Sequence, residues 1–165
     1  MKIILFLSLL IWVIPGFGKV KIQKPRSQHV TAFAIIVDEM TLEKTGGAVE
    51  AYRDALEADG LSTYIVSGNW KNPDEVKAEI IKLNKRKPVL EGVVFIGDIP
   101  VALIRNAQHM TTAFKMNEDE FPFPESSVPS DRFYDDLHLT FDFICQDSVN
   151  TSHFYYKLRE DSPQQ

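Results

Sequence analysis

The stretch LSTYIVSGNWKNPDEVKAEIIKLNKRKPVLEGVVFIGD, residues 61–98, decides the fold because two apolar segments in it flank a segment with helical spacing. Residues 61–68 are rich in β-branched side chains and predict a strand. Residues 92–98 are an apolar run that ends in glycine and aspartate, and they predict a second strand. Apolar runs without alternation are typical of strands that are buried on both faces of a parallel sheet.

The helix between these two strands has a defined start and one apolar face. Asn72 is a capping residue, Pro73 fits the first turn, and Glu75 has the spacing of a capping box. The pattern predicts a helix over residues 72–86 whose buried stripe consists of Val76, Ile80 and Leu83.

The sequence before this stretch repeats the same alternation of strand and helix. Residues 32–39, AFAIIVDE, predict a strand that ends in two acids. A helix follows, with Gly60 as its C-terminal glycine. We interpret Gly46 and Gly47 as a loop that adjusts the start of this helix. Its predicted apolar face carries Val49, Tyr52 and Leu56.

Strand, helix, strand, helix and strand at this spacing predict an α/β fold with right-handed crossovers. We expect a doubly wound, mainly parallel sheet with helices on both faces. With the strand order 2-1-3, the first and third strands are neighbours. The carboxyl edge of such a sheet is where ligands bind.

The pattern changes after residue 100. Residues 109–131 have no clear period, which is typical of functional or disordered loops. Residues 137–146 then alternate and predict a strand, and residues 153–158 are its expected partner in a C-terminal segment like a β-hairpin. One face of the first of these strands is predicted to hold Leu137, Leu139, Phe141, Phe143 and Cys145.

The first 18 residues have the features of an export signal. Lys2 precedes an apolar run that is too short to span a membrane, and small residues follow it at a plausible cleavage site. We expect a signal peptide at 1–18, a polar lead-in at 19–31 and a single α/β domain, itself incomplete, at 32–165. The predicted location is secreted, periplasmic or at the cell surface. An uncleaved N-terminal anchor is the alternative, and after cleavage we expect no membrane span.

Composition limits the partners and the redox chemistry. The 165-residue chain has a formal net charge of −5 and only one short basic segment, so we expect no nucleic-acid partner. Its one cysteine, Cys145, lies among apolar neighbours and is interpreted as a small buried side chain. The four histidines show no metal-ligand spacing, and we expect no cofactor other than calcium, whose candidate ligands follow below.

Two acids end predicted neighbouring strands and are the first site candidates. The order 2-1-3 brings Asp38, after the first strand, close to Asp98, after the third. One hypothesis is a magnesium site like that of phospho-receiver domains, because hard cations need several oxygen ligands. The simpler interpretation, which we prefer, is that Asp98 ends its strand and accepts backbone hydrogen bonds in the following turn.

Two short motifs carry a family resemblance. A hydrophobic strand ends in Gly97 and Asp98, and a later SDRFY segment supplies Ser130, Asp131 and Tyr134. In this order, and after strand–helix units, the chain over about residues 32–145 resembles the gingipain-type cysteine peptidases of the caspase-like group. The resemblance implies proteolysis, with a protein or peptide substrate if the chain is part of a longer one.

The chain also departs from that family. It contains no Gly-His-Gly segment, and its cysteine does not match the context of the nucleophile, so we assign no catalytic residue. The resemblance therefore implies the N-terminal part of a peptidase domain that is inactive alone. Family members bind calcium in acidic loops, which makes Asp131, Asp135 and Asp136 candidate ligands. The alternative is a small exported binding domain with an acidic edge for a cation or small ligand.

Overall fold

The computed structural model describes residues 20–105, 120–159 and 161–162. The predicted signal peptide and much of the predicted loop at 109–131 lie outside these residues. The described strands are β1 Lys21–Gln23, β2 Thr31–Asp38, β3 Leu61–Gly68, β4 Val89–Ile96, β5 Val101–Arg105, β6 Val128–Pro129, β7 Phe141–Gln146 and β8 His153–Leu158. The described helices are α1 Glu39–Ala58, α2 Pro73–Asn84, α3 Phe123–Ser126 and α4 Arg132–Asp135.

The first sheet has the strand order β1-β3-β2-β4. Strand β2 pairs in parallel with both β3 and β4, so the predicted α/β fold and the order 2-1-3 of the three central strands are confirmed. Strand β1 adds an antiparallel edge and lies within the predicted lead-in. At three residues and with two polar side chains, β1 gives no sequence signal of its own.

The second sheet has the strand order β6-β5-β8-β7. Strands β7 and β8 pair antiparallel, which confirms the predicted hairpin-like segment. Strand β5 pairs in parallel with β8 and antiparallel with β6. Only four residues separate β4 from β5, so the sequence pattern does not show where the chain passes from the first sheet to the second.

Two hydrophobic clusters cover opposite faces of the first sheet. On one face, α1 packs with Val49 against Ile35, Val37 and Ile65. On the other face, α2 and the second sheet share one core. The buried members of that core include Ile36, Val66, Val76, Ile80, Leu83, Ala102, Ile104, Phe133, Phe154 and Tyr156. Helices therefore lie on both faces as predicted, and the second sheet extends the α2 layer.

The start of α2 agrees with its sequence signals. The side chain of Asn72 accepts a hydrogen bond from the backbone N–H of Glu75 at 3.0 Å. The Glu75 carboxylate reaches back to the N–H of Lys71, one residue before the cap, instead of the Asn72 N–H of a capping box. The predicted stripe of Val76, Ile80 and Leu83 is buried.

Helix α1 differs from the prediction in two respects. It begins at Glu39, so Gly46 and Gly47 lie inside the helix and the predicted loop is wrong; the backbone kinks beside them, at Thr45. Asp38 caps the helix directly after β2, which leaves no room for a loop. Glycine lowers helix stability by about 1 kcal/mol per residue, a cost that the cap and the packing offset here.

Of the predicted apolar face of α1, Val49 and Leu56 pack against the first sheet as predicted, but Tyr52 does not. Tyr52 is 40% exposed, whereas Arg53 and Glu57 are buried. The Glu57 carboxylate accepts hydrogen bonds from the backbone N–H groups of Arg26 and Ser27 at 2.9 and 3.0 Å. The lead-in thus covers a polar stripe of the helix, and a pattern of apolar residues cannot predict such a contact.

The strand predicted over residues 137–146 is shorter than expected, and its side chains do not alternate along its whole length. The strand begins only at Phe141, and its register shifts between Phe143 and Cys145. A bulge of this kind turns the following side chains away from the expected face. Phe143, which precedes the bulge on this edge strand, is 56% exposed. Cys145, which follows the bulge, is partly exposed, so the prediction of a buried thiol is wrong.

Candidate functional site

Asp38, Gly97 and Asp98 meet at the carboxyl edge of the first sheet, and we call them the acidic corner. One Asp38 oxygen accepts the N–H of Thr41 at 2.9 Å, and the other accepts the N–H of Asp98 at 2.8 Å. The predicted proximity of Asp38 and Asp98 is therefore confirmed. A single carboxylate caps α1 and also fixes the turn after β4.

Gly97 is required at this corner. Its φ is +88°, a left-handed conformation that strongly favours glycine. A Cβ atom at this position would lie 1.9 Å from the Asp38 carboxylate. The backbone therefore comes close enough to Asp38 for the Asp98 N–H to donate, which no larger residue permits.

The corner holds Asp38 in its charged form. Burial raises the pKa of Asp38, but hydrogen bonds from Thr41 and from the Asp98 N–H outweigh this effect. The pKa of Asp38 therefore lies below its usual value. Because both Asp38 oxygens accept backbone N–H groups, this carboxylate acts as a structural anchor.

Asp98 links the two sheets. Its carboxylate accepts a hydrogen bond from the Ser152 hydroxyl at 3.1 Å, and the N–H of Val101 donates to the Ser152 carbonyl at 2.8 Å. The prediction that this carboxylate accepts backbone N–H groups of the following turn is wrong within the described residues. Asp98 instead ties the end of β4 to the turn before β8. No motif in the sequence indicated Ser152.

Gly97 and three SDRFY residues, Ser130, Asp131 and Tyr134, line one small cavity, which we call the motif cavity. It has a volume of about 190 Å³ and lies between β4, β5 and α4. The two motifs are 32 residues apart when counted from Asp98 to Ser130, and the fold brings them together. The residues that line it are Phe95, Gly97, Ile99, Pro100, Val101, Ala102, Pro129, Ser130, Asp131 and Tyr134.

Tyr134 forms the wall of the motif cavity. Its ring lies 4.8 Å from the Phe95 ring and 5.1 Å from the Phe133 ring, measured between centroids. Its hydroxyl donates to the Pro100 carbonyl. Burial, followed by the nearby charges of Asp74 and Asp131, raises the pKa of Tyr134. The residue is therefore a neutral hydrogen-bond donor that fixes the path from β4 to β5.

Ser130 and Asp131 are held by their backbone. The N–H of Ser130 donates to the Ala102 carbonyl at 3.1 Å, and the Asp131 carbonyl accepts the N–H of Tyr134 at 2.8 Å. Within the described part of the chain, neither side chain forms a hydrogen bond or an ion pair. Both polar groups are therefore free to meet a ligand at the rim of the cavity.

The candidate calcium ligands separate into two places. Asp131 lines the motif cavity, whereas Asp135 and Asp136 line a different cavity of about 410 Å³. Asp136 pairs with Arg132 at 3.1 Å. Among the described residues no group of three or more His, Cys, Asp or Glu side chains could hold a metal ion. The geometry adds no support to a calcium site at these three residues.

Lys77 is a buried cation that the sequence analysis did not select. Its Nζ donates to the Leu139 carbonyl at 3.1 Å and lies 4.9 and 5.0 Å from the ring centroids of Phe133 and Phe141. Burial lowers the pKa of Lys77, although Asp136 and other nearby acids partly oppose this effect. Lys77 thereby fastens α2 to the segment that follows the SDRFY motif.

Cys145 has no catalytic partner among the described residues. Thiolate nucleophiles need a general base within hydrogen-bond distance. Of the described histidines, His29 contacts Ser27 and His153 contacts Asn150, and neither these nor His138 hydrogen-bonds Cys145. The described contacts therefore give Cys145 no general base.

The described ranges contain no helix with the length and apolar character needed to cross a bilayer. In comparisons with known proteins, no family model matches the chain, and no curated protein or solved structure matches it significantly.

Proposed function

We propose that this chain is the N-terminal part of an exported gingipain-like cysteine peptidase and supplies its structural frame and substrate edge. One observation carries the proposal: Gly97 of the Gly-Asp motif and three residues of the distant SDRFY segment line one cavity at the carboxyl edge of a parallel sheet. Ligands of open α/β sheets bind at this edge.

The chemistry of the motif cavity suits the recognition of a peptide. Its floor is apolar, from Phe95, Ile99 and Ala102, and accepts a small side chain. The side chains of Ser130 and Asp131, which have no hydrogen-bond partner among the described residues, stand at its rim, where they can bind backbone amides of an extended peptide. In this proposal the acidic corner keeps the cavity in shape and does not react.

The nucleophile and the base of the proposed peptidase come from a part of the native protein beyond these 165 residues. Cys145 lies on β7 and does not line the motif cavity. A thiol without a neighbouring imidazole at neutral pH is a poor nucleophile toward peptide bonds. The chain by itself is therefore expected to bind peptides at most weakly and not to cleave them.

The test compares the native protein from its source with the 165-residue chain. A peptidyl acyloxymethyl ketone, which alkylates active cysteine peptidases, is added to both, with Cys145→Ser as the control for the chain. We expect the native protein to have a larger mass and to be labelled at a cysteine other than Cys145. We expect the chain to react no faster than a free thiol.

Two results would contradict the proposal. One is a native protein with the mass of the mature 165-residue chain. The other is rapid labelling of the isolated chain that disappears in Cys145→Ser, since this would make Cys145 an active nucleophile.

The second candidate is a small exported binding domain that uses its acidic edge. A cavity of about 310 Å³ is lined by four carboxylates, from Asp38, Glu39, Glu43 and Asp98. However, Asp38 is occupied by backbone N–H groups, Glu39 pairs with Lys21, and one Asp98 oxygen accepts the Ser152 hydroxyl. This leaves Glu43 and the second Asp98 oxygen. A rise in melting temperature with millimolar Ca²⁺ or Mg²⁺ that Glu43→Gln and Asp98→Asn remove would favour this function.

A further inference from the structure

A second and larger cavity lies at the opposite edge of the first sheet, where the parallel strands begin. We call it the amino-edge cavity. It has a volume of about 850 Å³, which is within the usual range for sites that bind small molecules. Three parts of the chain surround it: the lead-in, the start of β3 and the turn between α2 and β4. The residues that line it are Lys24, Pro25, Gln28, His29, Val30, Ser62, Tyr64, Arg86, Lys87 and Pro88.

The amino-edge cavity is positively charged in a protein of net charge −5. Lys24, Arg86 and Lys87 line it, and no aspartate or glutamate of the described residues does. Over the described residues, none of these three cations forms an ion pair. Their charges are therefore not neutralised by neighbouring acids, and they attract anions into the cavity.

The wall formed by the lead-in is fixed in advance. The Glu57 carboxylate accepts the N–H groups of Arg26 and Ser27, and also the Ser27 hydroxyl at 2.7 Å. The N–H of His29 donates to the Ser62 hydroxyl at 2.7 Å. A ligand that enters the cavity therefore does not have to order this segment, which lowers the free-energy cost of binding.

Tyr64 has a mostly buried ring and a hydroxyl without a partner among the described residues. Its side chain is 8% exposed and lines the cavity. Its hydroxyl forms no hydrogen bond to any other described residue. Because Tyr64 lines the cavity and its hydroxyl is not enclosed by protein, this O–H can donate to a molecule bound there.

We propose that the amino-edge cavity binds a small molecule that carries a multivalent oxyanion, either a phosphate group or several carboxylates. Lys24, Arg86 and Lys87 bind the anionic oxygens, and Tyr64 donates a hydrogen bond from the floor of the cavity. Arg86 provides the planar, two-pronged donor that matches such oxyanions. The site is separate from the motif cavity, and no described residue lines both.

The test is isothermal titration calorimetry on the full chain with two probes, inorganic pyrophosphate and citrate. We expect at least one of them to bind at millimolar or lower concentration. The double variant Arg86→Gln/Lys87→Gln should weaken binding about tenfold or more, because it removes two charge-assisted contacts of about 1.4 kcal/mol or more in total. Tyr64→Phe should weaken binding by a smaller factor, about threefold to tenfold, since it removes one neutral donor.

The matched control is Lys85→Gln. Lys85 is an exposed cation next to Arg86 in sequence, but it does not line the cavity. Its replacement should change the affinity less than about twofold, because a charge outside the cavity is screened by solvent. Circular dichroism should show that all variants are folded.

The two probes distinguish the ligand class. Binding of pyrophosphate alone identifies the ligand class as phosphates, and binding of citrate alone identifies it as polycarboxylates. The proposal is overturned if neither probe binds with a Kd below about 5 mM, which corresponds to a binding free energy of about 3 kcal/mol. It is also overturned if Lys85→Gln weakens binding as much as the double variant.

Discussion

At the residue scale, the acidic corner depends on the absence of a side chain at Gly97. Gly97→Ala places a methyl group into the Asp38 carboxylate and forces alanine to a φ of +88°. A non-glycine residue in this conformation costs about 1–3 kcal/mol even without a collision. We therefore expect the free energy of unfolding to fall by about 3 kcal/mol, as measured by urea denaturation.

Gly47→Ala is the matched control for this substitution. Gly47 lies inside α1, and a Cβ atom there meets nothing within 4 Å. Alanine is favoured over glycine in a helix by about 1 kcal/mol, so Gly47→Ala should stabilise the protein slightly. If both variants lose stability equally, the strain assigned to Gly97 is not the cause.

A second prediction concerns the pH dependence of stability. The pKa values of Asp38 and Glu57 are lower in the folded protein than their ordinary values of 3.8 and 4.5. As the pH falls below about 4.5, the unfolded chain takes up protons that these two carboxylates do not yet accept in the folded state. Their stabilising contribution is therefore complete above about 4.5 and is lost as the pH falls through the folded pKa values.

The measurement is the urea midpoint between about pH 7 and about pH 3, a range that spans the ordinary carboxylate values. Asp38→Asn and Glu57→Gln should each lower the midpoint at neutral pH and flatten its decline toward acid pH. An unchanged slope in both variants would show that other carboxylates determine the acid sensitivity.

The sequence predicts that Asp38 and Asp98 lie close together, but it does not predict the hydrogen bonds that they form. Strand order alone places both at one edge, because the carboxyl ends of parallel strands lie together. The partners of Asp98 depend on where the hairpin turn docks, and Ser152 is 54 residues away. Nothing local in the sequence marks a hydroxyl at that distance.

At the element scale, Tyr134 connects α4 to the link between β4 and β5. Tyr134→Phe keeps the ring contacts with Phe95 and Phe133 but leaves the buried Pro100 carbonyl without the hydroxyl. Loss of one partner of a buried hydrogen bond costs about 1–3 kcal/mol. We expect that loss in thermal unfolding, whereas Tyr52→Phe, at an exposed position on α1, should have no effect.

Asp98→Ala should loosen the connection between the two sheets. The substitution removes the acceptor of the Ser152 hydroxyl and leaves the Asp98 N–H bond to Asp38 in place. We expect faster hydrogen exchange and faster proteolysis at residues 98–101 and 150–153. Glu91→Ala, at an exposed acid on β4, is the control and should change neither rate.

The sequence pattern does not show strands β1 and β5 and misplaces the start of α1. Strand β1 is only three residues long, β5 follows β4 after four residues, and the kinked helix α1 contains two adjacent glycines. Each of the two strands is stabilised by a partner far away in sequence, β3 for β1 and β8 for β5. The spacing of apolar residues indicates only the local preference for helix or strand, and here tertiary contacts override that preference.

At the scale of the whole molecule, the shared core predicts one unfolding transition. Phe133 and Tyr156 from the second sheet region pack in the same cluster as Ile36 and Val76 from the first sheet and α2. Domains with one continuous core unfold cooperatively. Circular dichroism and hydrogen exchange of β3 and β8 should therefore give the same guanidinium midpoint.

Phe133→Ala tests this cooperativity. It removes a fully buried ring from the shared core and should cost about 3–5 kcal/mol. Protection of β3 and of β8 should decrease by the same amount. Loss of protection in β8 alone would show that the two sheets are separate folding units.

The pairing of β1 with β3 has a consequence for synthesis of the chain. Lys21–Gln23 leave the ribosome first among the described strands, but their partners are residues 65–67. The first strand to be made must therefore wait, unpaired, until its partner, about 40 residues further along, has emerged. One edge of strand β5 waits even longer, because β8 begins at residue 153, whereas β6, the partner of the other edge, is made earlier. The order of translation is thus not the order of assembly, and a nascent chain exposes two strand edges that pair only late.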